Sequence, residues 1–494
     1  MPYGYSIYSR LTDLDQLDSS IVVYKRGNWY RAYKADYGLL DRVKADGDLK
    51  AFIQSLLDHA AEEGGGRIKI RDNIEIQISG TEEPLKITSS NIILESDPGA
   101  FTITLYYATT YGLKIGGDSV LENIVIRGLN LKVVLSYAHN LYAENVKNLI
   151  IEQCKIHQTF SGYYPIYLKN SKYVVVKNCF EISEDTDPTI YLDECSHSHV
   201  INSKGTANVS GSNNVVSGVS RLYLRGSSNT ISNINGYANI SGHSNAISNI
   251  VGSTLIISGN NNKVSGAIGA DVSLSGSNNT VEGGSNVNVD IDGDYNVIDG
   301  ININEAGKYI HVTGNHNTIA NCNVVFTDYS GHKGISIENG NFNKVIGCTV
   351  AKCTVGIGIE SSITGIYPTG NSVIGCTSIQ NQYYGIYLYY ARHSRVMGNA
   401  CNENDWSGIA ALYSLYNNIV GNSCLDSATY DGITIDYDSD YNIILGNLAQ
   451  GNNRSGIEIH SANCDSNIVG SNILVANPLT DNGTGTVKFN NVVV

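Results

Sequence analysis

A short pattern, N-x-[IV]-x-[GN], recurs through this chain and limits its fold more than any other feature. It starts at Asn214, Asn229, Asn245, Asn262, Asn279, Asn296, Asn317, Asn343, Asn371, Asn417 and Asn442. Weaker copies start at Ser394 and Ser466, and looser ones at Asn91, Asn123, Asn148 and Ser198, with Lys172 between the last two. From Asn214 to Ser466, with the two weaker copies included, successive starts lie 15 to 28 residues apart. A chain of 494 residues would ordinarily be divided into several domains. A repeat running from about residue 85 to 475 overrides that expectation and points to a stack of similar units.

The wider units carry a second signature: Gly334-Ile335-Ser336-Ile337, Gly356-Ile357-Gly358-Ile359, Gly385-Ile386-Tyr387-Leu388, Gly408-Ile409-Ala410-Ala411, Gly432-Ile433-Thr434-Ile435 and Gly456-Ile457-Glu458-Ile459. Each reads as a short strand of period two, apolar inward and variable outward. The units are too short for a strand plus a helix. The expected fold is all-β: a single-stranded parallel β-helix, each coil burying its aliphatic residues on the coils before and after. The leading Asn suits a tight corner, where it tolerates a left-handed backbone and can bond its counterparts along the stack. Coils are narrow from about 198 to 296 and wide elsewhere, so the extra residues form either a third strand or loops on one face.

Residues 1–66 read as an N-terminal hairpin and a capping helix. Ile21–Tyr24 and Trp29–Tyr33 flank a turn containing Gly27. Asp48 is the N-cap of a helix with Leu49, Phe52, Ile53, Leu56, Leu57 and Ala60 at helical spacing, ended by Gly64-Gly65-Gly66. The β-helix is expected over 67–475 and a closing strand or cap over 476–494.

The formal charge of −14 comes without basic clusters, which argues against nucleic acid as a partner. No run of about 18 apolar residues is present to span a membrane. The start, Met1-Pro2-Tyr3-Gly4-Tyr5-Ser6, shows no signal peptide. The ten cysteines follow neither metal-site nor disulfide-scaffold spacing, and Cys322, Cys348 and Cys376 share one repeat position; they are expected as buried core thiols.

The paired signatures resemble those of right-handed β-helix proteins of the pectin-lyase-like and NosD-like group, over some 390 residues. The segment VVYKRGNWYRAYKADYG (22–38), the helix after it and the closing NPLTDNGTGTVKFNN (477–491) look like those of tailspike-type and archaeal or viral surface β-helix proteins. The resemblance implies right-handed coiling and carbohydrate as the ligand class, because lyases, hydrolases, epimerases and receptor-binding spikes share this scaffold. The chain departs from the enzymes: Asp187-Pro188 is followed by Thr189 rather than the His of alginate epimerases, and the Ca2+-plus-Arg constellation of pectate lyases is not recognisable.

Aligning the coils on the glycine of the second signature reads the outward columns directly. Two residues before it stand His332, Thr354, Tyr383, Trp406, Tyr430 and Arg454. Such a column tracks a glycan by stacking sugar rings on aromatic faces, with Tyr387 and Tyr389 joining from the adjacent strand. The bland alternative is an aromatic stack that packs a turn. A second outward column reads Glu338, Glu360, Tyr389, Leu412, Asp436 and His460. Acid catalysis on a glycosidic bond needs two carboxyls about 5–9 Å apart, one with a raised pKa. Asp405 with Asp431, or Asp436 with Glu458, are the candidate catalytic pairs. Against this, clustered carboxylates on an acidic coil stack are most often solvated or bind Ca2+ loosely. Tyr142, Tyr167 and Tyr191, with Glu144, Lys169 and Asp193, form a smaller column of the same kind, and sequons stand at Asn208, Asn239, Asn453 and Asn482.

Three functions are therefore expected to compete. The first is an extracellular or virion-surface attachment protein, a homotrimer without cofactor, binding polysaccharide or a cell-surface glycan through Tyr383, Trp406, Tyr430 and Arg454. The second is a polysaccharide lyase, hydrolase or C5-epimerase using the acidic cluster. The third is a purely structural surface or fibre protein.

Overall fold

In the computed structural model the chain divides into two compact units, Met1–Ala246 and Ile247–Val494. The structure describes residues 20–494 apart from 35–37, 99, 109–110, 135–138, 159–163, 182–189, 204, 306, 328–330 and 364. The N-terminal residues Met1–Ser6 and the Asp187-Pro188-Thr189 segment lie outside the described residues, as does part of the segment 22–38.

In the first unit, strands Ser20–Arg26 and Trp29–Lys34 form the expected antiparallel hairpin about Gly27, whose φ of 64° favours glycine. A third strand, Gly38–Lys44, extends it. The helix α1 spans Leu49–Glu62; Asp48 caps it by accepting a 2.8 Å hydrogen bond from the Ala51 amide. Its apolar face buries Phe52, Ile53, Leu56, Leu57 and Ala60, as its spacing requires. The hairpin strand Ser20–Arg26 also pairs in parallel with Gly66–Ile70, so the hairpin covers the otherwise open edge of the first coil. From there every pairing among the described strands of the unit is parallel, coil to coil. One outward column, Ile93, Val125, Ile150 and Val175, is apolar and buried. Beside it Glu95 and Glu152 alternate with Arg127 and Lys177 in an ion-paired row.

The second unit is likewise a parallel β-helix. Strands Ile335–Glu338, Ile357–Glu360, Ile386–Tyr389, Ile409–Leu412, Ile433–Asp436 and Ile457–Ile459 pair in one register, glycine signature on glycine signature. The extra residues of the wide coils make a third strand rather than loops alone. In this unit it appears at Asn323–Val325, Thr349–Ala351 and Thr377–Ile379, and again at Ser423–Leu425, Leu448–Gln450 and Ile473–Val475. Residues 476–494 supply three more short strands, Leu479–Asp481, Val487–Phe489 and Val492–Val493, each parallel to the coil before it. All ten cysteines are buried and free. Among the described residues no helix is long and apolar enough to cross a membrane.

Two devices hold the coils at their corners. The ladder asparagines point inward. Asn417 Oδ1 accepts from the Ser394 amide (2.8 Å), while its Nδ2 donates to the Ala391 carbonyl (3.0 Å) and to Asn442 Oδ1 (3.0 Å). A parallel ladder runs through Asn399, Asn422, Asn447 and Asn472. The left-handed residue is not the ladder Asn but the one before it: Tyr416, Tyr441 and Ser466 have φ of 59°, 57° and 54°. The copy read as starting at Ser466 is thus displaced by one, because Asn467 supplies the ladder amide to Asn442. Asn91, Asn123 and Asn148 occupy the left-handed position itself. The second device is glycine: a Cβ on Gly432 would lie 2.6 Å from the Gly456 carbonyl oxygen, and one on Gly385 2.5 Å from that of Gly408. The signature glycines are required by the close approach of successive coils.

Candidate functional site

The strand register brings the sequence columns together on the outer face of the second unit. His332, Thr354, Tyr383 and Trp406 follow one another through backbone hydrogen bonds of 2.8 to 3.0 Å, and Arg454 bonds Tyr430 in the same way at 3.2 Å. Ring centroids of Tyr383 and Trp406 lie 4.4 Å apart and those of Trp406 and Tyr430 5.5 Å apart. The Arg454 guanidinium closes the column 5.1 Å from the Tyr430 ring.

Ring orientation separates this column from the other aromatic stacks. Tyr390, Tyr413 and Tyr437 stack with interplanar angles of 16° and 14°; His393, Tyr416 and Tyr441 stack at 7° and 6°. Rings so nearly parallel lie face to face along a corner, with Tyr416, Tyr437 and Tyr441 exposed. In the Tyr383–Trp406–Tyr430 column the angles are 48° and 57°, so the rings cross one another rather than lie face to face, and all three side chains are half-buried. Tyr384 adds an edge contact to Trp406 and stacks on Tyr387, which stacks on Tyr389. Burial raises the pKa of Tyr384 and Tyr387, keeping both phenols neutral. Tyr384 was not legible in the column because it stands one position off the alignment.

At one end of this face stands a carboxyl pair, and it is not a pair that the spacing suggested. Asp431 faces Glu458. Asp431 is wholly buried; it accepts from the Thr434 hydroxyl (2.8 Å) and the Ser455 amide (3.0 Å). Burial, then the hydrogen bond it shares with Glu458, raises its pKa to about 6. Glu458 is held below the usual carboxylate range, since its bonds to His460 and Asp431 and the nearby Arg454 charge outweigh its burial. It lies 2.8 Å from the Arg454 guanidinium and 2.9 Å from His460 Nδ1. Asp436 neighbours His460 along the outward column and helps raise its pKa, after the Glu458 hydrogen bond. With Asp431 inaccessible and the Glu458 side chain 4% exposed, the group that reaches solvent is His460, at 50%. His460 is therefore a surface histidine oriented by a carboxylate. Asp405 sits at a neighbouring corner, its amide bonded to the Asn381 carbonyl (2.9 Å).

At the other end the structure shows a histidine that the alignment passed over, because its strand, Ile310–Val312, lacks the glycine signature. His311 bridges Asp290 (3.5 Å) and Glu338 (3.1 Å) on the flanking coils, and these contacts raise its pKa. Lys333 is paired with Glu360, which also accepts from the Ser336 hydroxyl.

The tyrosine column of the first unit is a packed cluster. Tyr111 stacks on Tyr142 at 4.2 Å and 9°, His139 lies against Tyr167, and the Tyr142 and Tyr167 phenols donate to Glu144 and Asp193 at 2.8 Å. Of the sequon asparagines, Asn453 and Asn482 are exposed.

The family model described as periplasmic copper-binding protein (NosD) matches residues 359–492. No curated protein sequence matches the chain. Among solved structures, the A-module of the mannuronan C-5 epimerase AlgE6 of Azotobacter vinelandii shares 13% identity, covering 91% of this chain and 96% of that one at a TM-score of 0.27. PfbA, a surface adhesin of Streptococcus pneumoniae, shares 14% over 61% of this chain and 88% of its own, at 0.33. A tailspike protein of Escherichia coli bacteriophage HK620, in complex with pentasaccharide, shares 12% over 83% and 75%, at 0.30. The matched proteins are right-handed parallel β-helix proteins. These likenesses assign no activity to this chain. Copper belongs to the description of the NosD family; among the described residues no group of three or more His, Cys, Asp or Glu side chains is arranged to hold a metal ion.

Proposed function

We propose that the protein is an extracellular or virion-surface attachment protein whose second unit binds a glycan chain along this outer face. The observation that carries the reading is the tilted, in-register Tyr383–Trp406–Tyr430 column, which sets three half-buried aromatic side chains at a spacing comparable to the rise of successive sugar rings. A glycan array followed by calorimetry with Trp406→Ala tests the reading: binding that survives the substitution unchanged overturns it. A homotrimer belongs to the same reading and is checked by measuring the mass of the protein in solution.

A polysaccharide-modifying activity is the second reading, favoured by the Asp431–Glu458–His460 row. In it His460 is the group that meets substrate, and Glu458 and Asp431 orient it from behind. Incubation with neutral and acidic polysaccharides, following new reducing ends or 4,5-unsaturated products, decides it. Activity retained in full by His460→Gln rules out the row.

A further inference from the structure

We infer that the glycan taken by this face is an uncharged one, not a polyuronate or a sialylated or sulfated chain. The inference rests on the glycan-binding reading and adds the substrate class. Its ground is how the charges on the face are spent. Lys308 is 3.0 Å from Asp271; His311 lies between Asp290 and Glu338; Lys333 is paired with Glu360; Arg454 with Glu458. To bind a sugar carboxylate or sulfate, one of these cations would have to leave its partner, and the stranded carboxylate would then sit beside the incoming anion. Glu360 and Glu458 are nearly buried, so stranding either is costly.

Between the two charged ends the face is neutral. Tyr383, Tyr384, Tyr387, Tyr389, Trp406 and Leu412 carry no ionised group, and burial holds the Tyr384 and Tyr387 phenols protonated. The polar groups nearby are hydroxyls: Ser407 with Thr434, and Ser455 with Thr480, each pair at 2.8 Å. Aromatic side chains and hydroxyls are what a polyhydroxylated, uncharged ring needs. The wider field agrees. Residues 247–494 hold nine Lys and Arg against twenty Asp and Glu, so a polyanion is repelled before it arrives.

The test measures binding of the full chain by calorimetry to neutral probes (hexasaccharides of β-1,4-glucose, mannose, xylose and galactose) and to acidic ones (hexasaccharides of galacturonate, mannuronate and hyaluronan). Each titration is run at ionic strengths of about 20 and about 200 mM, which span strong and weak screening. The expected result is binding within the neutral set, with a Kd that changes less than about twofold with salt. Binding to an acidic probe about tenfold tighter than to every neutral one, weakened by salt, overturns the inference while leaving glycan binding intact. Failure of both sets overturns the glycan-binding reading, and this inference with it.

Discussion

His460 Nδ1 lies 2.9 Å from Oε1 of Glu458, two residues earlier on the same outward face, and the other side of Glu458 is met by Asp431 on the preceding coil. Two carboxyls and an imidazole so arranged cannot titrate independently. The burial of Asp431 places the shared proton on its side, leaving Glu458 ionised between Arg454 and His460.

A first prediction concerns pH. The folded pKa of Asp431, about 6, lies above its ordinary value of 3.8, so its contribution to stability is present below that value and is lost as pH rises through about 6. Asn at 431 mimics the protonated acid, accepting from the Ser455 amide and donating to Glu458. Asp431→Asn is expected to raise stability at pH 8 relative to the natural chain by up to about 3 kcal/mol and to leave it little changed at pH 4. Urea unfolding at the two pH values checks this; equal effects at both would show that Asp431 ionises freely.

His311 titrates with the same sign, as a base. Its pKa is raised by Asp290 and Glu338, so its stabilisation is present below the ordinary histidine value and fades as pH rises through the raised one. His311→Gln should lower the unfolding midpoint at pH 5.5 by an amount equivalent to about 1 kcal/mol, and by less at pH 8.5. A loss independent of pH would mean that packing, not charge, is what His311 supplies.

Trp406→Ala should weaken binding of a glycan that the natural chain binds by about 10- to 100-fold, in line with about 1–3 kcal/mol for one aromatic stacking partner. The Tyr413→Ala variant, in a near-parallel stack, should instead lower the thermal midpoint and leave affinity within about threefold. Reversal of that order would assign the tilted column to packing.

At the corners, Asn417→Ala should cost about 1–3 kcal/mol, because it strands the buried Ser394 amide, while the Ala391 carbonyl keeps its bond from the Leu415 amide. Gly432→Ala should be at least as damaging, since the added methyl meets the Gly456 carbonyl at 2.6 Å and a backbone ladder cannot yield locally. Thermal unfolding followed by circular dichroism reads both.

Much of this architecture is written in local spacing. Period-two aliphatics, the ladder Asn and the signature glycine each answer a requirement repeated at every coil, so the parallel β-helix, the cap helix from Asp48 and the Tyr383–Trp406–Tyr430–Arg454 column could all be read from the chain. Displacements of one residue were harder. Ser466 against Asn467 is a choice between the left-handed corner residue and the amide after it, and both positions accept the same small polar residues.

Which side chains meet is another matter. The sequence by itself determined which residues face outward and in what order they stack, because a two-residue period and a repeat length fix direction and register. Only the tertiary structure decided that Asp431 pairs with Glu458, that His460 and not Asp431 reaches solvent, and that His311 bridges its neighbours. It also decided ring tilt, which differs between the candidate binding column and the near-parallel stacks beside it. Those facts depend on rotamers, burial and the path of each corner, and none of these is set by position along the chain.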